Sequence, residues 1–212
     1  MKIFPALILM LLIIGSSAAQ KMSVTQMKEE LEKSPNSPLY VKQVLKKKFK
    51  IDTIVVTRTS YFNSLADSLA YKGQIKKVYG PYDQKGSKFL VQVLAKAPAT
   101  FYRLSQIFID TSVFSHKFAD SLGNVILSKI KNGADTFEHM AQTYSMGGEG
   151  RTQGDLGWVA QGVLLPQIEK ELVHRKKGEV FMLWSSNGLH IIKKTEEPKQ
   201  DTGFGLMMRV FL

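Results

Sequence analysis

The chain contains no cysteine, so it can form no disulfide framework and carry no lipid-anchored cysteine. An exported chain of this kind has nothing to misoxidise. Histidine is also scarce, with four residues. His116, His139 and His174 lie far apart without ligand spacing, so neither a metal nor a cofactor is expected. No Gly-x-Ser-x-Gly or other nucleophile-base set is present. Gly147-Gly148-Glu149-Gly150 follows a helical pattern rather than a strand and lacks a phosphate-binding lysine, which excludes a nucleotide loop. Acidic residues are few, 18 against 29 lysines and arginines, giving a net charge of +11. The lysines gather in Lys46-Lys47-Lys48, Lys50, Lys76-Lys77, Lys176-Lys177 and Lys193-Lys194. Such a surface suits acidic clients or peripheral contact with an anionic membrane surface.

Long apolar runs are missing as well. The run from Ile3 to Ile14 is well short of the ~20 residues that span a bilayer. Lys2 precedes it, and Gly15-Ser16-Ser17-Ala18-Ala19 follows with small residues at Ser17 and Ala19. That layout predicts a signal peptide over residues 1–19 and export, to the periplasm first and to the outer surface or medium as alternatives. Export argues against nucleic acid as the partner of the basic surface. About 190 residues remain, enough for one ordinary domain with a smaller attachment.

Helical spacing at Val24, Met27 and Leu31 predicts a short helix that Pro35-Asn36-Ser37-Pro38 ends. Val41, Val44, Leu45 and Phe49 predict a second, lysine-rich helix, Ile54-Val55-Val56 a strand, and Leu65, Leu69 and Ala70 another helix. From Phe101 to Asp110, Ser105, Ile107 and Ile109 alternate with Leu104, Gln106 and Phe108, which predicts a strand with two distinct faces. Phe114, Phe118, Leu122, Ile126 and Ile130 step by four, describing a long amphipathic helix stopped by Asn132-Gly133. Phe137, Met140, Ala141 and Tyr144 mark a further helix, Leu164 to Leu172 another, and Leu189 to Lys193 a final strand. Elements mixed without strict strand-helix alternation indicate an α+β fold with an antiparallel sheet.

Four ordered blocks carry a more specific signal: Gln153-Gly154-Asp155-Leu156-Gly157-Trp158, Gly162-Val163-Leu164-Leu165-Pro166, Lys177-Gly178-Glu179-Val180, and Gly188-Leu189-His190-Ile191-Ile192-Lys193. Together they resemble the parvulin (PpiC, rotamase) family of peptidylprolyl cis-trans isomerases over Tyr102 to about Glu197. The resemblance implies a four-stranded antiparallel sheet surrounded by helices at 99–197. An N-terminal region at 20–98 and a tail at 198–212 flank it. Lys72-Gly73-Gln74-Ile75 followed by Gly86-Ser87-Lys88-Phe89-Leu90-Val91 parallels the third and fourth blocks. Residues 60–96 are therefore either a degenerate half of a second parvulin domain, with Phe89 in place of His190, or an unrelated helix-turn-hairpin.

The resemblance also implies a site. Leu156, Leu164 and Ile168 match the positions that seat the proline ring, although Ile168 replaces an aromatic residue. His190 matches one of two family histidines, and Gln106 stands where the other belongs. A glutamine amide can both donate and accept, and so can fix the tautomer of His190. Met146 and Asn187 are the further candidates for contact with substrate, Asn187 as a donor to a carbonyl. No Cys or Asp follows Ser145 in register, and Glu149, the nearest carboxylate, needs a loop shift to reach the site. The connection Asp110-Thr111-Ser112 lacks the basic residues of phosphate-directed parvulins, so phosphoprotein substrates are not expected. The implied function is isomerisation of X-Pro bonds in unfolded or partly folded, proline-containing exported clients. The alternative is a chaperone or assembly factor that binds such clients without turnover.

Overall fold

A computed structural model describes residues 22–59 and 62–212. The signal peptide expected over 1–19 lies outside the described residues. Helix α1 (Val24–Lys33) begins at Ser23, whose hydroxyl accepts from the Gln26 amide while the Gln26 side chain accepts from the Ser23 N–H. This reciprocal cap satisfies two amides that a helix start otherwise leaves open. Helix α2 (Ser37–Tyr40) widens into a single π-turn over Val41–Leu45, and Lys46, at φ 51°, ends it. The second helix is thus shorter than its spacing predicts. The left-handed Lys46 turns the chain, and Phe49 opens strand β1 (Phe49–Val55) instead of closing a helical face.

Next come α3 (Leu65–Lys72), β2 (Val78–Gln84) and β3 (Ser87–Asp110). The second half of the chain supplies α4 (His116–Lys131), α5 (Phe137–Tyr144), a 3-10 turn over Gly148–Thr152 and β4 (Asp155–Ala160). It ends with α6 (Pro166–His174), β5 (Val180–Trp184) and β6 (Gly188–Phe211). All six strands form one antiparallel sheet in the order β1-β6-β3-β2, with β4 added to β3 and β5 to β6.

Strands β3 and β6 are 24 residues each and pair along their whole length, from Phe89 opposite Phe211 to Asp110 opposite Gly188. Two lobes share this ribbon. In the second lobe the order is β4, the C-terminal half of β3, the N-terminal half of β6, and β5. Helices α4 and α5 cover one face through Ile107, Ile109, Leu189 and Ile191. Helix α6 covers the other through Leu104, Ile168, Leu172 and Ile192. This is the α+β arrangement with a four-stranded antiparallel sheet that the sequence implies.

The first lobe has the same plan with the halves exchanged: β1, the C-terminal half of β6, the N-terminal half of β3, and β2. Helices α1 and α2 pack on Leu90, Met208 and Val210, and α3 packs on the opposite face with Phe89, Val91 and Met207. Three expectations therefore change. The region before residue 98 is not a half domain, because residues 204–210 of β6 insert beside β1 and complete its sheet. The segment from residue 198 is a central strand rather than a tail. The boundary at Ala97-Pro98-Ala99 is no linker: Pro98, which has no N–H to give to a ladder, sits at a register shift inside β3.

Helix α3 touches the exchanged strand at a glycine. A Cβ on Gly205 would lie 2.8 Å from the Ala70 Cα and 2.7 Å from its Cβ, so α3 rests directly on the backbone of β6. Overpacking of this kind costs about 1–3 kcal/mol. Gly205→Val is expected to lower the urea unfolding free energy by about that amount, whereas the same change at exposed Gly148, which has nothing within 4 Å and no positive φ, should cost less. Denaturant titration of the two variants checks the contrast.

Candidate active site

The second lobe gathers its polar groups where β3 and β6 run side by side. His190 is opposite Phe108 on one neighbouring strand and Leu183 on the other, so all three side chains lie on the α6 face. Its ring is buried, 6% exposed, and lies 4.9 Å from the Phe108 ring. Two residue pairs further along, Gln106 lies opposite Ile192 on the same face.

A continuous chain of hydrogen bonds joins these groups. The Asn187 N–H donates to Ser185 Oγ at 3.1 Å, and Ser185 Oγ lies 2.8 Å from His190 Nε2. On the other side of the ring, Nδ1 is 3.0 Å from Gln106 Oε1. Gln106 Nε2 donates to Glu149 Oε1 at 3.1 Å, which also receives the Ser145 hydroxyl at 2.9 Å. The Phe108 N–H closes the chain on Ser145 Oγ at 3.0 Å. Because an amide oxygen and a carboxylate can only accept, Nδ1 carries the proton; in the neutral ring this leaves Nε2 as an acceptor for the Ser185 hydroxyl, which also lies 3.3 Å from the Gly188 carbonyl. Burial lowers the affinity of His190 for a proton, and the nearby Glu149 charge offsets this only in part. The imidazole is neutral at pH 7.

Glu149 reaches this network without the loop shift that its position in sequence suggests. The 3-10 turn over Gly148–Thr152 folds the loop back on α5, and a Cβ at Gly147 would come within 2.2 Å of the Glu149 carboxylate. Gly147 is thus the residue that leaves room for it. Gly154, at φ 86°, brings its carbonyl to the Gln106 N–H at 2.8 Å, and a Cβ there would lie 2.9 Å from Gln106 O. The glycines hold the loop against β3 so that Glu149 and Gln106 meet.

Beside the polar chain, Leu156, Leu164 and Leu183 form a partly buried apolar wall over Tyr102, Leu104, Ile168 and Ile192. Ile168 is only 2% exposed and serves as floor beneath Leu156 and Leu164 rather than as a contact surface of its own. Met146 stands apart from this wall, at the end of β3: its N–H donates to Phe108 O, and its Sδ accepts from the Asp110 N–H. Asn187 is exposed at the β5–β6 turn, its carbonyl accepting from Thr111 and its side-chain amide open to solvent. Two participants escaped the sequence reading. Ser185, not its neighbour Ser186, reaches the histidine, and Leu183 joins the wall because β5 pairs with β6 in that register.

Residues 107–196 match the family model for the PPIC-type PPIASE domain, described as Rotamase. This segment is a parvulin domain. Chaperone SurA of Saccharophagus degradans is 30% identical over 122 residues, 57% of this chain and 27% of that protein. The chain therefore spans about a quarter of the length of that relative. Among solved structures, PrsA from Bacillus subtilis is 34% identical with a TM-score of 0.38, covering 46% of this chain and 35% of that one. A PpiC-type peptidyl-prolyl cis-trans isomerase domain is 20% identical with a TM-score of 0.44, covering 50% of this chain and 94% of that one. Gln106, one residue before the matched segment, occupies the position at which the sequence resemblance leads one to expect a histidine, and it is hydrogen-bonded to His190.

Two outcomes follow for this domain. Gln106→Leu leaves the buried Nδ1–H of His190 without an acceptor, which should cost about 1–3 kcal/mol in urea unfolding. The second concerns pH. The unfolded chain takes up a proton at His190 near its ordinary 6.5, but the folded ring does so only at lower pH. The stability gained by keeping it neutral is then fully present above that value and is lost as pH falls from it through the folded pKa. Unfolding midpoints collected from pH 8 down to about 5 should show this loss, and His190→Gln should remove that component of the slope.

Proposed function

We propose that the parvulin domain catalyses cis-trans isomerisation of X-Pro bonds in unfolded or partly folded exported polypeptides. The observation that carries the reading is the neutral, hydrogen-bonded His190 set beside an apolar wall, inside a segment that matches the PPIC-type PPIASE family model. Rotation about an X-Pro bond is slow because its partial double bond resists twisting, with a barrier of ~18–20 kcal/mol. No covalent step is required. A catalyst needs to hold the pyrrolidine ring, keep the planar, polar amide in an apolar setting, and offer hydrogen bonds that improve as the bond twists.

In this reading Leu156, Leu164 and Leu183 hold the ring, with Ile168 supporting them from below. His190 and Gln106 present a polar but uncharged side to the twisting amide. The Asn187 side chain, open to solvent at the turn, donates to a substrate carbonyl, and Met146 contacts residues flanking the proline. The apolar leader at 1–19 supports export to the periplasm, and the lysine-rich surface suits acidic clients or an anionic membrane. The chaperone name of the Saccharophagus relative supports the competing reading, in which the groove binds clients without turnover. The exchange of a family histidine for Gln106 favours it too.

The two readings separate in one assay, in which the mature protein is tested for acceleration of cis-to-trans conversion in a proline tetrapeptide. The enzyme reading expects measurable turnover and at least about a tenfold loss of kcat/KM in Leu164→Lys, with Asn187→Ala milder. Absence of turnover, together with intact suppression of client aggregation, would leave the binder alone standing.

A further inference from the structure

The first lobe contains a cavity of about 590 Å³ at the place that corresponds to the site of the second. The correspondence follows from strand pairing. His190 lies opposite Phe108 and Ile192 opposite Gln106; in the first lobe Phe89 lies opposite Phe211 and Val91 opposite Arg209. Phe89 therefore stands where His190 does, and Arg209 where Gln106 does. Helix α3 overhangs the cavity as α6 overhangs the apolar wall. Among the described residues the polar chain of the second lobe has no counterpart here, yet the recess is present.

Its lining points to one kind of occupant. Leu65, Leu69 and Val91 make an aliphatic wall, and Tyr82 and Phe89 offer two tilted rings with centroids 6.0 Å apart. Met207 adds a thioether. Arg209 lies at the edge, its guanidinium held by Asp52 at 2.8 Å. That bond keeps the Asp52 carboxyl below the usual carboxylate range, so the pair stays charged. Rings, a thioether and a fixed guanidinium plane all interact better with an aromatic ring than with an aliphatic chain. The volume exceeds that of one side chain, so it can also admit flanking main chain. β1, which contributes Asp52, is an outer strand of this lobe, and an outer strand leaves main-chain groups for an extended segment to pair with, whereas β2, which contributes Tyr82, already has its Val78 N–H and Gly80 carbonyl bonded to Glu32 and Lys28 of α1.

We propose that this cavity is a second polypeptide-binding site, which takes an aromatic side chain of an extended, proline-independent client segment. The proposal rests on reading the second lobe as a client site, and its test separates the two. A proline-free pentapeptide with tryptophan at its centre, and the same peptide with alanine there, would be titrated into the full-length mature protein with labelled methionine methyl groups. Met207 reports on the first lobe and Met146 on the second. Saturable movement of the Met207 signal by the tryptophan peptide is expected, weakened about tenfold or more by Leu65→Lys and left within about twofold by Leu164→Lys. Ala66→Trp, which fills the recess from α3, should act as Leu65→Lys does and serves if that variant fails to fold. A silent Met207 signal, an equal response to the alanine peptide, or sensitivity to Leu164→Lys in place of the first-lobe variants would overturn the proposal. Loss of tetrapeptide turnover with the Met207 response intact would support it and strike only the reading of the second lobe.

Discussion

Everything else in this structure hangs on the antiparallel pairing of β3 with β6. Each strand is 24 residues long, several times the length of an ordinary strand, and each serves as a central strand in both lobes. The ribbon sets which residues can meet. Because the strands run antiparallel, His190 and Gln106 fall near one another although 84 residues separate them in the chain. The same pairing places Phe89 and Arg209 together in the first lobe, so the two recesses are consequences of one geometric rule applied twice. Register shifts around Pro98 and between Phe101 and Leu104 absorb the change from one lobe to the other.

The polar chain through His190 holds a buried imidazole without charging it. Each buried donor has an acceptor, from the Asn187 amide through the imidazole and the Gln106 amide to the Glu149 carboxylate. The only formal charge sits at the far end, where Ser145 and Gln106 both donate to it. Burial acts against protonation of the ring, so the group facing the apolar wall stays neutral. A dry, uncharged setting next to Leu156, Leu164 and Leu183 is what a twisting amide requires. The first lobe has taken the other path: an aromatic ring at the histidine position and an ion pair at the glutamine position make a recess suited to holding rather than twisting.

Much of the second lobe was legible because local signals and tertiary demands agree there. The alternation across residues 101–110 placed Ile107 and Ile109 under α4 and α5, and Leu104 and Gln106 on the other face, as the packing shows. Asn132 and Gly133 ended α4 for the reason that a left-handed glycine does. The hidden parts depended on long-range pairing or on loop shape. Residues 199–211 carry no feature that announces a strand exchanged with a lobe more than 140 residues earlier, such as Met208 with Ile51. The place of Glu149 depended on a 3-10 turn and on the space at Gly147, neither of which residue spacing reveals. Ser185 and Leu183 entered through the register of a short hairpin, in which a shift of one residue would have chosen Ser186.

The exchange of strand halves also orders events in time. The parvulin domain is contiguous, and its last strand half is complete once His190 to Lys193 have been made. The first lobe, although it begins at α1, cannot close its sheet until Phe204 to Val210 pair with β1. A chain delivered from its N-terminus thus makes the first lobe's helices early and its central strand last. Until then β1 and the two faces of β3 that carry Leu90 and Val91 are without their partner strand, and loop closure over so long a separation is slow. The lobe whose residues come first is thus completed last, and β1 waits unpaired until strand β6 has been made to its end.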